Sequence, residues 1–199
     1  MRGQRMWQTL RLYTILNADK RTQYYKDKKI FHSMGDNCMI MDRKVPLYAK
    51  LISIGNNVKI ASNVHFNTHD VTHLLLNNMP EVLSTGGGRM FSEKVGCIEI
   101  GDNVFIGAGT SINYNVRIGS NVIIGACSLI TKDVPDNVVV AGVPAKIICT
   151  FDEYLQKRMA EHNNNTLGNE AVSQVAEKEC WRNFYNAREN CKSVRGKRE

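Results

Sequence analysis

Residues 100–135 read IGDNVFIGAGTSINYNVR followed by IGSNVIIGACSLITKDVP, two blocks that superpose at a shift of 18. Gly101 falls on Gly119, Asn103 on Asn121, Val104 on Val122, Gly107 on Gly125 and Ala108 on Ala126. An isoleucine returns every six residues, at Ile100, Ile106, Ile112, Ile118, Ile124 and Ile130. Valines sit four places after several of these, at Val104, Val116, Val122 and Val134. A fixed short period marks a solenoid, whose copies are stabilised by stacking on each other. The β-branched content and recurrent glycine exclude a helix, and a simple strand would beat at two rather than six. A flat coil with three six-residue sides meets the pattern, burying aliphatic residues on each side and returning after 18. The glycine after four of these six isoleucines reads as relief of crowding at a bend. The asparagine or aspartate that follows reads as a turn residue.

Working outward, the beat is faint from Met34, in MGDNCM and IMDRKV, and clear in IGNNVKIASNVHF at 54–66, with Ile54, Ile60 and Phe66 in phase. From Ile54 to Ile100 is 46 residues, which six does not divide. A segment of about 67–97 therefore leaves the stack, and its Gly86-Gly87-Gly88 reads as a flexible turn. Beyond Val134, Pro135-Asp136-Asn137 reads as a turn before Val138–Val143. Residues 1–30 read as helical pieces built on Trp7, Leu10, Leu12, Tyr13, Ile15 and Leu16. Phe151–His162 has helical spacing, opened by Thr150 with Glu153 three later. A polar linker at 162–169 and a helix over roughly 170–190, on Val172, Val175, Trp181, Phe184 and Tyr185, follow, with a frayed basic end. The expected architecture is a mainly β solenoid at 34–148, a helical segment at 1–33 and a helical extension at 149–199.

The chain has 199 residues, 43% of them apolar, enough for a sizeable core. No apolar run approaches the roughly 18 residues of a membrane span, and the N-terminus lacks a signal-peptide pattern. Six scattered cysteines without a CxxC motif read as free thiols in a reducing compartment, so the expected location is cytoplasmic. The net charge of +7 is concentrated at the start, where residues 1–30 hold eight Lys/Arg against Asp19 and Asp27. Such a stretch can meet nucleic acid or an anionic membrane face. No RNA-binding signature or zinc-finger spacing is present, so it reads as a solvated helix surface with no nucleic-acid partner. A positive field also suits a nucleotide-bearing cofactor.

Three histidines fall within NVHFNTHDVTH: His65, His69 and His73. On a helix their spacing would put all three on one face, as in a zinc cluster. Val64 and Phe66 are in coil phase, so the spacing loses that meaning and no metal is assigned. One histidine acting as a general base is the other reading, because neutral imidazole can take a hydroxyl proton near neutral pH.

The hexads resemble the hexapeptide-repeat proteins, which implies a left-handed parallel β-helix. NTHD, a loop, then IGDNVFIGAG resembles the sugar-modifying hexapeptide acyltransferases, whose base is a histidine at a coil end before an extruded loop. The resemblance implies His69 as that base, His73 as its rival and a structural His65. Asp70 is an orienting candidate, although neighbours in extended chain point opposite ways. LITKDVPDNVVVAGVPAKII at 129–148 is similar to the closing segment that binds coenzyme A. It implies pantetheine beside Ala141 and Gly142 and phosphates at Lys132 and Lys146, with Gly107 and Gly125 as further cofactor contacts. Asn67 and Asn113 are nominal oxyanion donors. The implied function is acetyl-CoA-dependent O-acetylation of a sugar hydroxyl by a homotrimer. An N-acetyltransferase of amino sugars and a non-catalytic scaffold stay open. Residues 1–30 match no specific version of the family's helical cap, so the acceptor stays open too.

Overall fold

The computed structural model describes residues 2–85, 88–163 and 174–195. Three parallel ladders carry the hexads. The first joins Ser33–Met34, Ile52–Ile54, Ile98–Ile100 and Val116–Ile118. The second joins Met39–Ile40, Lys59–Ile60, Val104–Ile106, Val122–Ile124 and Val138–Gly142, and the third His65–Asn67, Ser111–Asn113 and Leu129–Ile130. Val104 lies opposite Val122 and Ile112 opposite Ile130, one 18-residue turn on. Across the excursion the step is 46, with Ile54 opposite Ile100 and Phe66 opposite Ile112. The ladders are thus three sides of one stack of coils. Its interior is the isoleucine column, with Ile98, Ile106, Ile112, Ile118 and Ile124 all 0% exposed. Each contributes about 1.5–3 kcal/mol on burial.

The corners differ from the expectation in one respect. The glycines that follow the isoleucines do not take the left-handed conformation; the asparagines do, at Asn37, Asn57, Asn103, Asn121 and Asn137, with φ between 54° and 59°. Each of the first four donates from its side-chain nitrogen to the side-chain oxygen of the next, over 2.8–3.2 Å. The glycine is needed because coils approach closely: a Cβ on Gly101 would lie 2.8 Å from the Gly119 carbonyl carbon. Crowding comes from the next coil rather than from the bend.

The first coil is longer, Ser33 lying opposite Ser53 and Met39 opposite Lys59. Of the hexad expected at 40–45, only Ile40 extends the ladder. Asp42, Arg43 and Lys44 are polar, and Pro46 lacks a donor. The segment around Leu47 takes the place of a third strand, its carbonyl accepting the Thr68 hydroxyl at 2.8 Å.

Two helices lead in, α1 at Arg2–Thr14 and α2 at Ala18–Asp27. Arg21 is 4% exposed and donates to the carbonyls of Ile15 and Leu16, where α1 runs out. The Thr22 hydroxyl of α2 accepts from the Ile40 N–H at 2.9 Å, taking a ladder donor that has no preceding coil. At the far end, Val138–Gly142 returns antiparallel as Ala145–Thr150, with an irregularity between Val139 and Val140 and a cis Val143–Pro144 bond.

The excursion is ordered at its base. His69–Asp70 pairs antiparallel with Lys94–Val95, and two short helices, α3 at Thr72–Leu76 and α4 at Pro80–Thr85, lie between. Gly88 takes φ +73°, while Gly86 and Gly87 lie outside the described residues. Helix α5 spans Phe151–Asn163, with Thr150 and Glu153 exchanging hydrogen bonds as a capping box. The expected linker therefore opens with two helical residues; 164–169 and Val172 lie outside the described residues. Helix α6 spans Gln174–Arg195, where Trp181 stacks on Tyr185 and Arg188 lies over Phe184. The chain forms two compact units, 1–155 and 156–199. Among the described residues Cys38, Cys97, Cys127, Cys149 and Cys180 are free, and no helix is long and apolar enough to cross a membrane.

Candidate active site

The third ladder ends at one edge of the stack. Its register puts Thr68, Tyr114 and Lys132 on successive rungs there, since Asn67 lies opposite Asn113 and Ile112 opposite Ile130. At a strand spacing of about 4.8 Å, Thr68 and Lys132 are about 10 Å apart along the stack. Thr68 is fully buried, and the chain turns outward directly after it, so His69 emerges at the edge as the first residue of the excursion.

The His69 ring is met edge-on by Tyr48, with ring centres 5.3 Å apart. Tyr48 sits at φ 51° and donates from its hydroxyl to Glu93 at 2.9 Å, which joins it to the returning arm of the excursion. Nδ1 of His69 is buried without a hydrogen-bond partner, as is Nδ1 of His73. Such orphaned atoms cost about 1–3 kcal/mol each unless water, a ligand or another chain supplies the bond.

Asp70 does not orient the His69 ring. Its carboxylate accepts from the Thr72 hydroxyl at 2.6 Å, the Thr72 N–H at 3.0 Å and the Tyr114 hydroxyl at 2.8 Å. Those bonds, that from the Thr72 hydroxyl foremost, with the nearby charge of Lys94, hold it down at about 2. Lys94 also lies over the Tyr114 ring at 5.2 Å. Asp70 therefore ties the base of the excursion to the next coil. His65 is exposed on its coil strand, His69 is in the excursion stem and His73 is on α3. The three do not share a helical face, and no group of three metal-ligating side chains occurs among the described residues. Asn67 donates its amide to Asn113 over 3.2 Å, linking the two nominal oxyanion candidates to each other.

Lys132 and Lys146 come together in a groove of about 300 Å³ between the last coil and the return strand, walled by Ile130, Val134, Val140 and Pro144. Gly107, Gly125, Ala141 and Gly142 are not in its lining. The first two are explained by stacking: a Cβ on Gly107 would lie 2.5 Å from the Ala126 nitrogen, and one on Gly125 2.8 Å from the Ala141 methyl. Gly142 takes φ +103° at the hairpin and donates its N–H to Ser128 at 3.2 Å. Tyr48, Glu93, Lys94 and Tyr114 escaped the sequence reading. Only Tyr114 carried a signal, being the repeat counterpart of Lys132.

Residues 97–132 match the family described as bacterial transferase hexapeptide, six repeats. The galactoside O-acetyltransferase of Escherichia coli K12 is 46% identical over 99 residues, 49% of this chain and 43% of that protein. This chain thus spans less than half the length of that relative. Protein CapG of Staphylococcus aureus is 38% identical over 141 residues, 66% of this chain and 73% of that protein. The chain belongs to the hexapeptide-repeat transferase family. A solved maltose O-acetyltransferase from Clostridium difficile 630 is 26% identical, with a TM-score of 0.53 over 75% of this chain and 85% of that one. As in other hexapeptide-repeat transferases, the coils wind as a left-handed parallel β-helix.

Proposed function

We propose that this protein transfers an acetyl group from acetyl-CoA to a hydroxyl of a sugar, with His69 as general base. The observation that carries the reading is the His69 ring, braced by Tyr48 at the coil edge that leads, two rungs on, to the lysine-bearing groove. Relatives named as O-acetyltransferases of galactosides and maltose support the acetyl group and the acceptor class.

The groove suits the donor in its chemistry. Its aliphatic walls match a pantetheine arm, and Lys132 and Lys146 supply point charges for phosphates. Bound there, acetyl-CoA supplies an activated thioester carbonyl. His69 takes the acceptor hydroxyl proton as the new C–O bond forms, then returns it to the sulfur as the C–S bond breaks. An ester and a free thiol result, and the imidazole ends neutral. Tyr48 limits rotation of the ring, holding its lone pair toward the reacting oxygen. A homotrimer is the assembly that this reading takes, as the hexapeptide-repeat resemblance implies.

The test is thiol release from acetyl-CoA with a panel of sugars and amino sugars, followed by product analysis. His69→Ala is expected to lower kcat by about 10²–10⁴-fold with the thermal transition unchanged, and His73→Ala by less than about tenfold. A His69→Ala protein that keeps its rate, or a product acetylated only on nitrogen, would overturn the assignment.

A further inference from the structure

Helix α1 is mounted with its polar face inward. Arg5 donates from Nε to the Val45 carbonyl at 3.0 Å, the Thr9 hydroxyl accepts from the Val45 N–H at 3.3 Å, and Leu12 on the same face is fully buried. The outward arc carries the large apolar side chains: Met6 is 58% exposed, Trp7 70%, Leu10 51% and Tyr13 57%. A surface helix of a globular protein places these faces the other way round.

Two cations flank the arc: Arg11 is exposed beside it and Arg43 donates to the Tyr13 carbonyl, while Lys20, Lys28 and Lys29 are exposed on and just after α2. Residues 1–30 hold eight Lys/Arg against two acidic side chains. A second copy of this chain carries the same net charge of +7, so seating one on this arc, in two-fold or three-fold fashion, would set the flanking cations against a basic partner. Trp and Tyr on the arc add a second indication, because their rings settle at the boundary between lipid headgroups and acyl chains. From this geometry we infer that α1 is an interfacial helix that docks the protein on an anionic lipid surface. Met6, Trp7, Leu10 and Tyr13 enter the headgroup layer, and the flanking cations meet the lipid phosphates. With four apolar side chains on a 13-residue helix, docking is reversible and salt-sensitive.

The inference is independent of the proposed chemistry and is tested by co-sedimentation of the full chain with vesicles. Phosphatidylcholine vesicles containing anionic phosphatidylglycerol are expected to take down the protein, and pure phosphatidylcholine to take down at least about tenfold less, with binding lost as salt rises. Trp7→Ala with Leu10→Ala changes only exposed side chains and is expected to abolish sedimentation while solution acetyl transfer continues. Arg11→Glu is expected to weaken it separately. Absence of wild-type binding to the anionic vesicles would overturn the proposal. So would retained binding by the double variant, or loss of the wild-type assembly in that variant on size exclusion, which would make the arc an interface between copies. Vesicle binding abolished by equimolar short RNA would assign the face to nucleic acid instead.

Discussion

At Asp70 three donors converge on one carboxylate, two from Thr72 and one from Tyr114. Its folded value of about 2 lies below the ordinary carboxylate range. The sign follows from linkage: a depressed carboxylate adds stability that is fully present above its unfolded value near pH 4 and lost as pH falls through about 2. Acid titration of the thermal transition is expected to show Asp70→Asn and the parent protein converging between about pH 4 and pH 2. Between about pH 6 and pH 9, Asp70→Asn is expected to leave the shape of the pH–rate profile unchanged, because the carboxylate does not titrate there. A limb shifted by more than about one unit, beyond what removing a nearby charge does to an imidazole, would place Asp70 in the proton chemistry. His69 and Asp70 are thus neighbours with separate tasks, one facing the edge and one fastening it.

At the level of the coil, the rungs of the first two sides repeat the same contacts: an isoleucine inward, a glycine packed closely on the coil above and, at the corner between those sides, an asparagine in the left-handed region bonded to its counterpart. Gly101→Ala inserts a methyl where the Gly119 backbone stands 2.8 Å away. It is expected to cost about 1–3 kcal/mol, read as a lower midpoint in urea with an unchanged slope. The same change at Gly3, in α1 with nothing within 4 Å, is expected to be neutral or to stabilise by up to about 1 kcal/mol. The period of Ile100–Ile130 was legible because every rung obeys the same local physics. The irregular first coil was not, because Pro46 and the charges at Asp42–Lys44 break the pattern without announcing what replaces it. Asp70 meets Tyr114, 44 residues away, because the excursion closes on itself at His69–Val95 and restores the register. No local pattern near Asp70 reveals that pairing. Tyr48 reaches His69 from outside the repeat altogether, whereas Lys132 and Lys146 could be foreseen through the family's closing segment.

At the scale of the molecule, the proposed function carries a homotrimer with it. Light scattering of the purified protein is expected to give three times the mass of one chain. A monomer that is active at assay concentration would exclude a site shared between subunits. The second ladder is capped at both ends, by the Thr22 hydroxyl on the Ile40 N–H and by the return strand Ala145–Thr150 on Val138–Gly142. Rungs this alike have no intrinsic number. An open end would be a template on which further chains could polymerise. Length is therefore specified by two terminators rather than by the repeat, and a spare 18-residue turn inserted at the Arg117–Ile118 junction would lengthen the prism without altering either terminator.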